Sequence, residues 1–293
     1  MGGGTTARDH PGEYLLASAM SASINYPLWR ASAVGQSGFR VAAASVPPAV
    51  SGLVSAVHPS VAPILYAFAP PYRGLTATIL GMTWARAAIF WGSDRGKEAL
   101  RASAPGMHPS VHALLPPLVV STLVQIVNQP LVRATITLQN PESDLLNVRS
   151  ALRQIYRAHG LSGLWHGTSA GVLKTVPKYC TAVVVKDAME DWLPPADPSS
   201  PTFESDKLWR SAYKSSAAGL AGAALTNPLD VIRNEMFKTN RGLVETVHNL
   251  RKELGWRFMI RGIGKNMVAV AIPVSCTIFF TDALIQVSER NTH

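Results

Sequence analysis

The stretch that decides the fold runs from Ala223 to Met236 and reads Ala-Ala-Leu-Thr-Asn-Pro-Leu-Asp-Val-Ile-Arg-Asn-Glu-Met. Small residues ahead of Pro228 predict a closely packed helix, and the proline predicts a kink because it cannot donate a helical backbone hydrogen bond. Asp230 and Arg233 follow the proline by two and five residues. An acid and a base beside a kink can pair with each other or reach neighbouring helices.

The same pattern recurs upstream with a period of about a hundred residues, which predicts a repeat architecture. Its first marker is a proline, and kinks are expected at Pro27, Pro130 and Pro228. Its second marker is a basic residue before a glycine, in Tyr72-Arg73-Gly74, Trp165-His166-Gly167 and Ile260-Arg261-Gly262. Its third marker is another proline in the following helix, with kinks expected at Pro177 and Pro273, while Trp84 takes the matching place in the first repeat.

These markers together resemble the mitochondrial carrier family, whose repeats carry a Pro-x-Asp/Glu-x-x-Lys/Arg signature. The resemblance covers about Glu13 to Ser288 and is strongest from Gly219 onward. It implies one all-α membrane domain over residues 1–293, with six transmembrane helices as three two-helix repeats and short surface helices on the matrix side. The repeats fall at approximately 13–101, 109–193 and 207–288. The resemblance also implies a multi-pass protein of the mitochondrial inner membrane that is not an enzyme.

Composition agrees with a membrane protein, since 47% of the residues are hydrophobic and 15% are charged. Residues 102–132 and 266–281 contain no Asp, Glu, Lys or Arg, and about 20 apolar residues span a bilayer as a helix. The net charge of +9 fits an anionic lipid surface or an anionic substrate, and the chain has no nucleic-acid-binding motif. The predicted long helices are Glu13–Ser37, Gly74–Leu100, Pro109–Leu138, Thr168–Trp192, Leu208–Lys238 and Gly264–Ser288, with surface helices at Leu145–His159 and Leu243–Leu254.

The family resemblance implies a matrix gate that pairs the acid of each repeat with the base of the next. The acid positions hold Trp29, Val132 and Asp230, and the base positions hold Ser32, Thr135 and Arg233. Family pairing would set Asp230 against Ser32, so no ion pair between repeats is expected. The remnant of this gate consists of Asp230, Arg233 and the bracing glutamines Gln36 and Gln139. Asp230 and Arg233 have either a gating role or only an i,i+3 contact with each other.

The second gate of the family is also reduced in this sequence. Its positions hold Asp94 and Lys97, Asp187 and Glu190, and Ala283 and Gln286. A hydrogen bond between Asp187 and Gln286 is the one favourable family pairing. The alternative for Asp94 and Lys97 is a contact within one helix.

The resemblance places a substrate contact at Lys174, with Arg86 and Lys178 nearby. An ionisable group inside a membrane span indicates function, and this group suits an anion; alternatively, Lys174 only lines a small wet cavity or snorkels. Because the family partner of Asp230 is lost, Asp230→Asn is expected to impair transport much less than Lys174→Ala. No metal site is predicted, since His108 and His112 are separated by a proline and lack a glutamate between them.

The three basic-Gly elements open helices, whose exposed amides and dipole attract phosphate. In the family these sites hold cardiolipin, so the resemblance implies bound cardiolipin and no other cofactor. The alternative is that each glycine only permits a tight turn. The expected cardiolipin-binding residues are Arg73, Gly74, His166, Gly167, Arg261 and Gly262.

The segment Val41–Tyr72 carries no charged side chain and is rich in proline. An apolar surface of this kind is typical of a partner site, so the segment is expected to pack against another protein, and Trp29 and Trp84 are expected to narrow the central cavity. With both gates reduced, the favoured hypothesis is an accessory subunit of a larger inner-membrane assembly, of respiratory or ATP-synthase type, with weak or no transport. The alternative is an active transporter of a small anionic metabolite that works by alternating access.

Overall fold

The computed structural model describes residues 10–39, 72–140, 143–195 and 203–292. Throughout these ranges the regular structure is helical, which confirms the predicted all-α class. The helices are α1 (Pro11–Ile24), α2 (Tyr26–Ser37), α3 (Leu75–Ser103), α4 (Pro109–Leu138), α5 (Val148–Leu164), α6 (Thr168–Leu173), α7 (Thr175–Trp192), α8 (Phe203–Thr239), α9 (Leu243–Leu254), a 3-10 helix (Gly255–Ile260) and α10 (Ile263–Thr292).

Two of the predicted long helices are each broken into two pieces. The first breaks at Asn25, two residues before Pro27, and the fourth breaks at Lys174, three residues before Pro177. Proline has no backbone N–H, so it cannot donate to the carbonyl one turn upstream. At the first break, the Asn25 side-chain amide donates to the Ser21 carbonyl at 2.9 Å and binds an oxygen of the interrupted helix.

The other three repeat prolines lie inside continuous helices: Pro130 in α4, Pro228 in α8 and Pro273 in α10. The kinks predicted at these three positions stay predictions. The bounds of α4 and α9 coincide with those expected from the sequence, whereas α8 begins five residues earlier than expected, at Phe203 rather than Leu208.

The long helices pack in a closed ring that follows the order of the chain. Helix α3 packs along α4, α7 along α8, α8 along α10, and α10 against both α1 and α2. The first and last long helices are also joined by a hydrogen bond, since Ser21 Oγ donates to the Pro273 carbonyl at 2.7 Å. The shorter helices α5 and α9 pack on α4 and α8, respectively.

Within the described residues, α4 is long and apolar enough, by length and composition, to cross a bilayer. The predicted arrangement of six spans is therefore not established by hydropathy and stays a prediction.

The residue before each repeat proline makes the same hydrogen bond in all three repeats. Tyr26 Oη donates to the carbonyl of Arg73 at 2.6 Å, and Gln129 Nε2 donates to the carbonyl of His166 at 3.0 Å. Asn227 Nδ2 donates to the carbonyl of Arg261 at 3.2 Å. All three donor side chains are buried. The pre-proline side chain thus binds the residue before the glycine of its own repeat, through three different side chains that carry either a phenol or an amide.

The residues whose carbonyls accept these bonds also use their own side chains to make hydrogen bonds to another repeat. Arg73 donates to the Ser143 carbonyl at 2.7 Å, beyond the end of α4, and His166 Nε2 lies 2.8 Å from the Arg241 carbonyl, beyond the end of α8. Arg261 Nε donates to the Gln36 carbonyl in α2 at 2.8 Å. These three bonds, here called the clasps, tie the repeats into a ring. The end of the bundle that they occupy is called the loop end.

Candidate functional site

The central cavity lies between the long helices and has a volume of about 620 Å³. Residues of all three predicted repeats line it, including Lys174, Lys178, Asp230 and Arg233. The charged side chains therefore meet in one cavity, although they are distant in sequence.

Three of these charges form one cluster. Lys174 Nζ lies 2.7 Å from Asp230 Oδ1, and Arg233 Nη2 lies 2.9 Å from the same oxygen. The exposed fractions of the Lys174, Asp230 and Arg233 side chains are 18%, 12% and 10%, so water screens these pairs only weakly. The cluster has two cations for one anion. It can release a cation to an incoming carboxylate, or the carboxylate to an incoming cation.

The pairing of Asp230 differs from both sequence interpretations. The i,i+3 contact with Arg233 is present, but Lys174 from another predicted repeat is a second partner. Sequence reasoning treated Lys174 as a substrate contact and Asp230 as a gate remnant. The structure breaks the helix at Lys174, and sequence spacing alone carried no signal that would have connected the two residues.

The other gate residues bind elsewhere. Ser32 Oγ donates to Asn266 Oδ1 at 3.1 Å, so the family pairing of Ser32 with Asp230 is replaced by a neutral contact. Gln36 Nε2 donates to Asn227 Oδ1 at 3.1 Å. Gln139 Nε2 donates to the Arg73 carbonyl at 2.9 Å. These glutamines thus join helix ends rather than brace an ion pair between repeats.

Apolar contacts occupy the place of the missing gate charges. Ala33, Ile136 and Phe237 form a buried cluster, and Trp29 and Val132 pack against it. Trp29 and Val132 hold two of the three acid positions of the family. This set of five residues is called the apolar layer.

The apolar layer faces both the central cavity and a second cavity at the loop end. Ile136 lines both cavities, and Phe237 lines the second. Trp29, which was expected to narrow the central cavity, lines it. The same prediction is wrong for Trp84, whose side chain is 40% exposed and donates through Nε1 to Asn128 Oδ1 at 3.2 Å.

At the predicted second gate, Lys97 Nζ lies 3.4 Å from Asp94 Oδ1, and both side chains are about a third exposed. This is the contact within one helix that was the alternative to a gating role. The side chains of Asp187 and Gln286, like that of the predicted substrate contact Arg86, lie outside the part of the chain that the structure describes.

The basic-Gly elements have the backbone geometry predicted for them. Gly74, Gly167 and Gly262 precede α3, α6 and α10 with φ values of +83°, +83° and +71°. This left-handed conformation favours glycine because a Cβ would clash with the following carbonyl.

Their basic side chains, however, are used within the protein as the clasps. Arg261 also lies 3.0 Å from Glu235. Burial lowers the pKa of both Arg73 and His166, so the His166 imidazole is protonated less readily than an exposed one and attracts phosphate more weakly. Cardiolipin at these elements stays a prediction that rests on the backbone amides. The partner predicted for Val41–Tyr72 also stays a prediction, because residues 41–71 lie outside the described ranges.

Comparison with known proteins gives a family match and several relatives. A family model described as mitochondrial carrier protein matches residues 108–196. The chain is 24% identical over 225 residues to the mitochondrial basic amino acids transporter of Bos taurus, covering 73% of this chain and 72% of that one. It is 25% identical over 165 residues to mitochondrial ornithine transporter 1 of Saccharomyces cerevisiae, covering 55% of each chain. It is 24% identical over 212 residues to the mitochondrial S-adenosylmethionine carrier protein of Xenopus tropicalis, covering 69% of this chain and 74% of that one.

These names correct the function that the sequence favoured. Each describes a transporter or carrier, and none describes an enzyme or a subunit of an assembly. The accessory-subunit hypothesis is therefore wrong. It inferred loss of transport from loss of gate charges, whereas an apolar layer occupies the position of those charges. The recurrent proline and basic-Gly elements, the family match over residues 108–196 and the relatives agree, and the chain is similar to the mitochondrial carrier family.

Proposed function

We propose that this protein is a transporter of the mitochondrial inner membrane that moves a small carboxylate-bearing solute through the central cavity by alternating access. The observation that carries the proposal is the Lys174–Asp230–Arg233 cluster inside a cavity of about 620 Å³. Charged groups at such a depth are costly unless function requires them. The names of the three relatives support both the activity and the mitochondrial location.

The membrane arrangement that we propose is six spans in three repeats. The closed ring of long helices supports it, because a ring in chain order gives each of the described long helices a packing partner. The recurrent pre-proline bonds and clasps also support it, since each repeat then contributes one equivalent bond of each kind. In lipid, every backbone polar group needs an internal partner, and helices satisfy this requirement.

The cluster favours an amino acid as the substrate. A substrate carboxylate can replace Asp230 as the partner of Lys174 and Arg233, and a substrate ammonium can replace Lys174 as the partner of Asp230. A zwitterion thus exchanges one set of ion pairs for another and leaves no buried charge alone. The relatives are named for basic amino acids, ornithine and S-adenosylmethionine, which carry both groups.

A small anionic metabolite is the second candidate. Its support is the charge of the cavity, because Lys178 also lines it and adds to the excess of positive charge in the cluster. A dicarboxylate could then bind without an ammonium group.

Closure of the loop end is the task that we assign to the apolar layer. In alternating access, each state needs its own contacts. In the state described here, Ile136 and Phe237 would exclude water between the central cavity and the loop end. Opening at this end would separate these side chains.

Uptake into proteoliposomes tests the proposal. The purified chain should be assayed with labelled arginine, ornithine, S-adenosylmethionine and malate, with and without the same solute trapped inside. We expect uptake of at least one amino acid, and Lys174→Met should reduce it at least tenfold, the factor that a loss of about 1.4 kcal/mol produces. Lys97→Met, which alters a partly exposed pair outside the cavity, is the matched control. Absence of uptake for every solute, or equal rates for both variants, would contradict the proposal.

A further inference from the structure

The second cavity, called the end cavity, has a volume of about 880 Å³ and lies at the loop end. Its walls come from the last turns of α4 and α8, from α5 and from Phe39 just beyond α2. It is separate from the central cavity, because neither Lys174 nor Asp230 lines it and Ile136 of the apolar layer lies between them. Pockets of this size hold small organic ligands.

Asn234 in the wall of the end cavity is the first sign of a ligand. Its side chain is 1% exposed, and neither Nδ2 nor Oδ1 has a hydrogen-bond partner among the described residues. A buried amide without partners destabilises a fold. The corresponding positions of the other repeats, six residues past the proline, hold Ala33 and Ile136. An amide here therefore calls for a ligand that both accepts and donates hydrogen bonds.

Two arginines are the second sign. Arg153 and Arg157 lie one turn apart on α5 and both line the end cavity. Neither makes an ion pair or a side-chain hydrogen bond within the described part of the chain, and both are exposed. Guanidinium groups bind phosphate oxygens in bidentate geometry. Two of them match the charge of a phosphate monoester.

Among the described residues that line the end cavity, the other two charged side chains each have an oppositely charged partner. Lys238 is paired with Glu235 at 2.8 Å. Asp144 interacts electrostatically with Arg73. The carboxylate raises the pKa of Arg73, although burial lowers that pKa by a larger amount. Among the described lining residues, the charges without an oppositely charged partner are therefore those of the two arginines.

We propose that the end cavity binds the phosphate group of a small organic molecule or a lipid headgroup, with Arg153 and Arg157 on the phosphate and Asn234 on a neighbouring polar group. A ligand there joins α5 to the ends of α4 and α8 and lies against Ile136 and Phe237. It would thus hold the apolar layer closed and inhibit transport. The inhibitory role rests on the proposed function, whereas the binding site does not.

The test measures binding on the full chain, purified in a mild detergent without phosphate groups. The soluble probes are inorganic phosphate and AMP, titrated while thermal unfolding is recorded. The lipid probe is phosphatidic acid in nanodiscs, compared with phosphatidylcholine alone. We expect AMP or phosphatidic acid to raise the unfolding temperature, and the probe that does so identifies the source of the phosphate group.

The double variant Arg153→Gln/Arg157→Gln should weaken binding of that probe at least tenfold. The control Arg149→Gln/Arg257→Gln removes the same charge from residues outside the cavity lining, and should change the affinity less than threefold. No shift with any probe, an equal loss in both double variants, or unchanged binding in Arg153→Gln/Arg157→Gln would overturn the proposal.

Asn234→Leu gives an independent signature. It removes the unpartnered amide at similar volume, so the free protein should unfold at the same or a higher temperature, while the ligand-induced shift should fall. A variant that unfolds at a lower temperature and keeps the full shift would contradict the role of Asn234. Lys174→Met should retain binding in the end cavity even if it abolishes transport, and this result separates failure of the site from failure of the proposed function.

Discussion

Lys174 and Asp230 form an ion pair at 2.7 Å in the lining of the central cavity, between the break that separates α6 from α7 and the helix α8. The pair joins two residues that the sequence assigned to different tasks. Because Arg233 lies on the same carboxylate oxygen, Asp230 is the one acid between two cations. The charge of Asp230 therefore partly neutralises both cations of the cluster.

Asp230→Asn should therefore destabilise the protein, a property that the sequence-based expectation of a weak effect on transport did not address. Removing one partner of a buried ion pair leaves the others uncompensated, at a cost of about 3 kcal/mol. The additional change Lys174→Met should recover part of this loss. Thermal unfolding in detergent measures both effects. Asp94→Asn, in a pair that is a third exposed, is the control, and an equal loss in the two single variants would count against the buried cluster.

Phe237→Leu should increase leakage of solute through the protein. The smaller side chain loosens the apolar layer, and swaps between apolar residues cost up to about 1.5 kcal/mol, which corresponds to about a tenfold rise in the open population. Efflux of trapped substrate from proteoliposomes without substrate outside is the measurement. Phe279→Leu changes an aromatic residue that is 68% exposed and should leave efflux unchanged. Unchanged efflux from the Phe237→Leu variant would show that the apolar layer does not seal the central cavity.

Gly262→Ala should destabilise the fold, whereas Gly264→Ala should not. A Cβ at Gly262 would lie 2.7 Å from the backbone nitrogen of Gln36, and the residue has a φ of +71°. Left-handed strain and overpacking together cost about 2–4 kcal/mol. At Gly264 a Cβ would meet nothing within 4 Å, and alanine favours the helix by up to about 1 kcal/mol. The measurement is the unfolding temperature of each variant. Similar values for the two variants would refute the close approach of α2 and the start of α10.

The clasp of His166 should make stability depend on pH. Burial lowers its pKa below the ordinary value of 6.5, and this effect outweighs the Arg241 carbonyl, which raises it. The unfolded chain then binds a proton at this histidine more readily than the folded chain does. The contribution of His166 to the free energy of unfolding is therefore complete above pH 6.5 and is lost as pH falls through the folded pKa.

His166→Gln keeps an N–H donor for the Arg241 carbonyl but cannot titrate. The wild-type protein should lose more stability than this variant between pH 7.5 and 5.5, as measured by thermal unfolding. The other histidines are present in both proteins and serve as the internal control. Identical pH profiles would exclude His166 as the titrating group.

The repeat markers and the helical class could be predicted from the sequence because both depend on local chemistry. Proline and glycine restrict or extend the backbone at their own positions, and the structure has a helix break before Pro177 and left-handed backbone at Gly167. The relatives support the family that these markers indicated.

The partners of the charged residues could not be predicted in the same way. The family pattern pairs Asp230 with a residue two repeats away, but Ser32 offers no charge there, and the nearest available cation is Lys174. Side-chain reach across helices depends on the break at Lys174, which sequence spacing does not contain. The apolar layer was missed for a related reason, since Trp29 and Val132 were judged by the charges they lack rather than by what they pack against.

The pre-proline bonds have a consequence for how this family can be recognised. A phenol at Tyr26, a longer amide at Gln129 and a shorter amide at Asn227 each donate a hydrogen bond to the same kind of carbonyl. A comparison of residue identities among the three repeats finds three different residues at this position. The structure shows that all three make an equivalent hydrogen bond. Divergent copies of such a chain would therefore be found more readily by asking which donors can reach that oxygen than by asking which residues are alike.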